Sequence, residues 1–207
     1  MTERDSARQL GGALGWGIAS RLARTLLGLF GTYLVLNMLT PREFGTLSLV
    51  RNFLAYLTIV VGAGLSQGLL RYLPAWRLSA GRSRMRMALF ASFAVHVVLW
   101  ALVTLVLFLL KPWIGEVTNE VVAGLVVLGV ALLLPEVFGH TATNIANAYY
   151  DTRNISVAVV ITTITYVVAL ALLLKQGLGP SGVLIAAAIS NVVLTLVLLS
   201  KVPRYLN

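Results

Sequence analysis

Apolar residues fall into six long runs separated by short polar punctuation. The runs cover about Trp16–Leu39, Phe44–Leu65, Met87–Leu110, Val121–Asn144, Ile155–Leu174 and Ser181–Ser200. Each is long enough to cross the ~30 Å hydrocarbon core of a bilayer as a helix. The runs are continuous rather than alternating, and lipid tolerates only helices or closed barrels, so the pattern predicts helices. The punctuation consists of helix stops. Thr40-Pro41-Arg42-Glu43 joins the first two runs, Lys111-Pro112-Trp113 ends the third, and Lys175 to Gly182, rich in glycine with Pro180, splits the last two. The basic loop Arg71–Arg86 predicts a short interfacial helix. The expected fold class is all-α, a single six-helix transmembrane lobe over residues 1–207.

Composition strengthens this picture and removes rivals. Hydrophobic residues make up 58% of the chain and charged residues 11%, with a mean hydropathy of +0.90. A soluble domain carries roughly 25% charged residues, and a globule of 22.3 kDa has too small an interior to hide so much apolar surface. With no cysteine there is no disulfide, iron–sulfur or thiolate-metal chemistry. His96 and His140 are far apart and predict no metal site. No nucleophile–base pair or glycine-rich phosphate loop is present, so neither an enzyme nor a cofactor is expected. The net charge of +9 is spread thinly between apolar runs, which suits lipid headgroups and not nucleic acid.

The same charges set an orientation. Six spans put both termini on one side, which then collects twelve Lys and Arg residues against three (Arg42, Lys111 and Lys175) on the other. That bias places both termini in the cytoplasm. Trp113 falls at the outer interface, and Trp16 and Trp76 at the inner one, as an aromatic belt requires. No signal-peptide pattern precedes the first span, so it is expected to be retained.

Charges inside spans are expensive and point to function. In the first span Gly17, Arg21, Arg24, Gly28 and Gly31 share one helical face. This predicts an anion-binding stripe beside a cytoplasm-facing cavity; the alternative is two arginines snorkelling to lipid phosphates beside packing glycines. In the second span Ser48, Arg51, Ala55, Thr58 and Gly62 follow the same spacing, with Arg51 two turns in from the outer side. Its alternatives are an outward snorkel or a strained pair with Glu43. In the fourth span Glu136, His140, Thr143, Asn147 and Asp151 form a polar face, with Pro135 loosening the helix beside it. That face reads either as a water-filled path with Glu136 and His140 as a proton or ion-coupling site, or as a buried Glu136–arginine pair.

Two segments carry a family resemblance. Leu39-Thr-Pro-Arg-Glu-Phe-Gly-Thr46 is similar to the Leu-Gly-Pro-Glu-Glu-Tyr-Gly signature of polysaccharide-transport proteins, and Gly64-Leu-Ser-Gln-Gly-Leu-Leu-Arg-Tyr-Leu73 resembles the segment that closes their second span. The family is that of the lipid-linked oligosaccharide flippases, O-antigen flippases among them, within the superfamily of multidrug and oligosaccharidyl-lipid exporters. The resemblance implies a multi-pass protein of a bacterial or archaeal inner membrane. It implies a partner lobe of six further helices, or another subunit, and a substrate with an undecaprenyl tail, a diphosphate and a sugar head, flipped by alternating access. In related peptidoglycan-precursor flippases, cations of the first two helices line the cavity. Arg24 and Arg51 match these in location, and Arg21 is a further candidate. The competing expectations are a cation-coupled multidrug exporter and a non-transporting scaffold for glycan assembly.

Overall fold

The computed structural model describes residues 3–62, 64, 67–68, 71–73, 82–149 and 151–201. Among them run seven helices and no strand: α1 (Glu3–Met38), α2 (Pro41–Gly62), α3 (Arg82–Val117), α4 (Glu120–Ala131), α5 (Leu133–Ala148), α6 (Thr152–Lys175) and α7 (Gly179–Leu199). The spans alternate in direction, α4 and α5 together making one. We call the end at which α1, α3 and α6 begin the N-terminal face, and the other end the far face. Trp76 and half of the expected interfacial helix over Arg71–Arg86 lie outside the described residues, as does the Trp16 side chain.

Five stretches are long and apolar enough to cross a membrane: Pro41–Gly62, Arg86–Val117, Glu120–Ala148, Thr152–Lys175 and Gly179–Leu199. The sixth expected span, about Trp16–Leu39, lies within α1 but is not among them; Arg21 and Arg24 dilute its apolar run. Helix α1 also begins earlier than hydropathy indicates, taking in the polar residues before Gly12. Large apolar side chains face outward, with Phe90 76% and both Tyr56 and Ile59 72% exposed, as a lipid-facing surface requires. The protein is therefore a multi-pass helical membrane protein.

Two boundaries differ from the sequence reading. The third span does not stop at Lys111-Pro112-Trp113, because α3 carries Pro112 inside it and continues to Val117. One proline removes one backbone donor, and a long helix in lipid tolerates that loss. The chain turns a residue later, where the Thr118 hydroxyl donates to the Ile114 carbonyl at 2.7 Å. Asn119 then caps α4, its side-chain oxygen accepting from the Val122 N–H at 2.8 Å. Trp113, 61% exposed near that end, sits where the aromatic belt was expected.

The fourth span is two helices. Pro135 is the third residue of α5 and has no N–H to offer the Ala131 carbonyl, so the ladder opens one turn upstream, at Leu132. The break is covered from outside: the Trp100 indole on α3 donates to the Val130 carbonyl at 2.9 Å. This broken pair is the most enclosed element, with 44% of its membrane window buried against 11% for α3. Gly129 lets α2 approach, since a Cβ there would lie 3.1 Å from Leu54 Cδ2. The last two spans part at a glycine turn in which Gly177 and Gly179 hold positive φ angles of 77° and 51°.

Packing does not follow chain order. Helix α1 lies along α6 and scarcely touches α2, although a two-residue turn joins them. Helix α6 packs on α7, α5 on α7, α3 on α4, and α2 chiefly on α4. Short hydroxyls are satisfied as membrane helices need: Thr163 donates to the Val159 carbonyl at 2.7 Å, and Ser190 reaches across from α7 to the Thr162 carbonyl at 2.9 Å. The buried imidazole of His96 places Nε2 3.3 Å from the Gly62 carbonyl, at the end of α2 where carbonyls lack helical partners.

Replacing Trp100 by Phe keeps an aromatic ring, though a smaller one, and removes the indole donor, leaving the Val130 carbonyl with the Leu132 N–H. The expected cost of the lost hydrogen bond is about 1 kcal/mol of stability, read as a lower unfolding midpoint of the protein in detergent micelles with helix content unchanged.

Candidate functional site

The arginines occupy two levels. Arg21 and Arg24, both exposed, line a hollow of about 220 Å³ together with Gly17, Ser20, Asn147 and Ser156. Its walls come from α1, the end of α5 and the first two turns of α6. Arg51 stands apart from this hollow, on α2. Helix α2 starts at Pro41 and ends at Gly62, so Arg51 lies ~15 Å from either end, at mid-membrane depth. This is deeper than the two turns read from the sequence, because the helix begins before its apolar run does.

The glycine-arginine stripe of α1 divides in two. Its lower part, Gly17 with Arg21 and Arg24, borders the hollow. Its upper part packs: a Cβ on Gly31 would lie 3.4 Å from Tyr166 Cε1 on α6, while Gly28 faces open space. Tyr166 also lies within electrostatic reach of Arg51. Along their helices Arg24 lies ~21 Å from the far end of α1 and Arg51 ~15 Å from the same end of α2.

Glu43 is not the partner of Arg51. Its Oε2 accepts from both the backbone N–H and the hydroxyl of Thr40, each at 2.8 Å, and its own N–H donates to the Thr40 hydroxyl at 3.3 Å. This is a capping box that starts α2, with Pro41 preset for the first helical position. The other Glu43 oxygen faces Gly179, where a Cβ would lie 3.1 Å from it, so the motif also seats the α1–α2 turn on the α6–α7 turn.

Glu136 and His140 stand one turn apart on α5, His140 Nε2 lying 3.9 Å from Glu136 Oε1, with side chains 40% and 66% exposed respectively. Among the described residues no arginine pairs with Glu136. Further along that face, the Thr143 hydroxyl is spent on the Gly139 carbonyl. Asn147 reaches the arginine hollow, and Asp151 caps α6, accepting from the Asn154 N–H at 3.3 Å and its side-chain amide at 2.7 Å. The fold thus brings Arg21, Arg24 and Asn147 together, and sets Arg51 and the Glu136–His140 pair at separate places. Ser20, Ser156 and Tyr166 were missed in sequence, since hydroxyls and tyrosines recur throughout such spans. Larger hollows of about 680 and 470 Å³ open between the far-face turns, away from these arginines. Among the described residues no cluster of His, Cys, Asp and Glu suits a metal.

These features define a polytopic helical membrane protein with uncompensated cations at two depths. Residues 13–203 match the family described as polysaccharide biosynthesis protein, and the chain belongs to that family. No curated protein and no solved structure matches the chain. Membership supports a role in polysaccharide biosynthesis or export.

The Pro41-Arg42-Glu43 segment works as a helix start. Thr40→Ala is expected to cost about 1 kcal/mol, measured as a lower unfolding midpoint in micelles, whereas Arg42→Gln, which leaves the cap bonds in place, is expected to leave that midpoint unchanged.

Proposed function

We propose that the protein is a six-helix lobe of a flippase for lipid-linked oligosaccharide, moving an undecaprenyl-diphosphate-linked sugar head across the inner membrane by alternating access. In this reading α1 supplies the sixth span, the N-terminal face is cytoplasmic, and a second six-helix lobe or another subunit closes the pathway. The polyprenyl tail stays in lipid while the diphosphate crosses, and no covalent chemistry is done on it.

The observation that carries the reading is Arg51. It is exposed midway along α2, and among the described residues no carboxylate bridges it. A charge midway along a span costs roughly 2.5–3.5 kcal/mol on insertion scales unless water or an anion meets it. Guanidinium forks suit phosphate oxygens. Arg24 and Arg21, nearer the N-terminal face, form a first station and Arg51 a second. A diphosphate that binds these stations more tightly in one state than another shifts the equilibrium between them. Glu136 and His140, beside the break in the α4–α5 span, are the proposed proton- or ion-coupling pair. A carrier of organic cations would instead need acidic groups at these stations.

In cells whose surface glycan depends on this protein, Arg51→Ala and Arg24→Ala are expected to abolish surface glycan while membrane protein levels persist, with lipid-linked precursor accumulating. Wild-type glycan in both variants would remove the arginines from the mechanism.

A further inference from the structure

The hollow around Arg21 and Arg24 has features that flipping does not require. Helix α6 contributes only its first two turns, Thr152 to Val159, so the hollow sits within ~10 Å of the N-terminal end of that span. The headgroup phosphates of a bilayer lie near such a span end. At about 220 Å³ it is smaller than the roughly 300–1,000 Å³ of sites that enclose drug-sized ligands. An oligosaccharide does not fit; a phosphoryl group does.

Its lining is made of donors. Two guanidiniums and the Asn147 amide face it, and among the described residues no carboxylate bridges either arginine. Ser156 is 6% exposed, lines the hollow, and forms no hydrogen bond among the described residues. The Ser20 hydroxyl is already spent on the Gly17 carbonyl at 3.0 Å. Asp151 caps α6, so the helix dipole is already answered there and the attraction for an anion comes from the arginines. Along the same stretches, Leu22 on α1 and Ile161 on α6 are 59% and 41% exposed, giving acyl chains a surface to lie against.

We propose that this hollow binds the phosphodiester of an anionic membrane phospholipid, held by Arg21, Arg24, Asn147 and Ser156, with its chains against α1 and α6. An anionic lipid is favoured over a zwitterionic one, because two cations and no acid line the hollow itself and the nearby Asp151 is engaged in the cap of α6. The phospholipid occupies the hollow while no transported diphosphate is bound there and gives way to it, so the site adds to the first-station reading without needing it. Seated there, the lipid neutralises both guanidiniums and ties α1 to α6.

The test is native mass spectrometry of the full chain extracted from vesicles of phosphatidylglycerol and phosphatidylcholine in equal parts. Preferential retention of phosphatidylglycerol is expected, weakened about tenfold by Ser156→Ala and by Asn147→Asp, and unchanged by Lys111→Gln at the far face. Unaltered circular dichroism shows that the variants fold, and Ser156→Ala, which removes one oxygen, remains informative if Asn147→Asp does not fold. Equal retention of the two lipids, or equal phosphatidylglycerol retention by wild type and Ser156→Ala, overturns the site. A second arm adds undecaprenyl diphosphate: displacement of phosphatidylglycerol in wild type, weakened in Ser156→Ala, is expected if the phospholipid holds the first station between turnovers, whereas phosphatidylglycerol retention undiminished by it removes Arg21 and Arg24 from the flipping path and leaves the phospholipid site standing.

Discussion

A guanidinium halfway along a lipid-spanning helix cannot be left in hydrocarbon. It has to reach water, an anion or the headgroups, and from ~15 Å inside either end of α2 the headgroups are beyond easy reach for Arg51. The neighbouring helices answer that demand. Helix α1, joined to α2 by two residues, packs along α6 and scarcely touches α2, and Arg51 stays exposed. Glu43 is not there to receive it, because it is committed to the start of α2. Removing an ion from water without a partner costs several kcal/mol, more than a pair of apolar helix faces gains in lipid, where no hydrophobic drive favours their contact.

The same accounting of polar groups shapes the middle of the bundle. Pro135 opens the fourth span, and lipid permits such an opening only where another group meets the freed carbonyls. Trp100 donates to the Val130 carbonyl, next to the Ala131 carbonyl that Pro135 leaves without its helical donor, and His96 approaches the Gly62 carbonyl at the end of α2. These contacts come from α3, the least buried of the five candidate spans. Its indole and imidazole fix it to α4 and α2 where its apolar surface gives little specificity. A broken span beside an exposed Glu136–His140 pair is the kind of irregular backbone that membranes accommodate next to a wet cavity.

Membership of the polysaccharide biosynthesis family comes with an uneven distribution of charge. Arg21 and Arg24 are exposed around a small hollow, and Arg51 is exposed midway along α2. On the α1 stripe the arginines border that hollow, and Gly31 above them seats Tyr166.

The helical class, the positions of the spans and the arginines at issue were legible in the sequence, because continuous apolar runs have one solution in lipid and a charge within them stands out against it. The start of α2 was encoded locally as well, since a capping box and a proline need only residues 40 to 43. The neighbour of each helix was not legible. Apolar faces in lipid are nearly interchangeable, so hydropathy gives no hint that α1 leans on α6. Helix lengths near prolines were misjudged as well: Pro112 is absorbed within α3, whereas the span that holds Pro135 breaks at Leu132. The tertiary structure alone brought Asn147 and Ser156 to Arg21 and Arg24, because the groups that share a cavity are far apart in the chain and joined by packing, not by period.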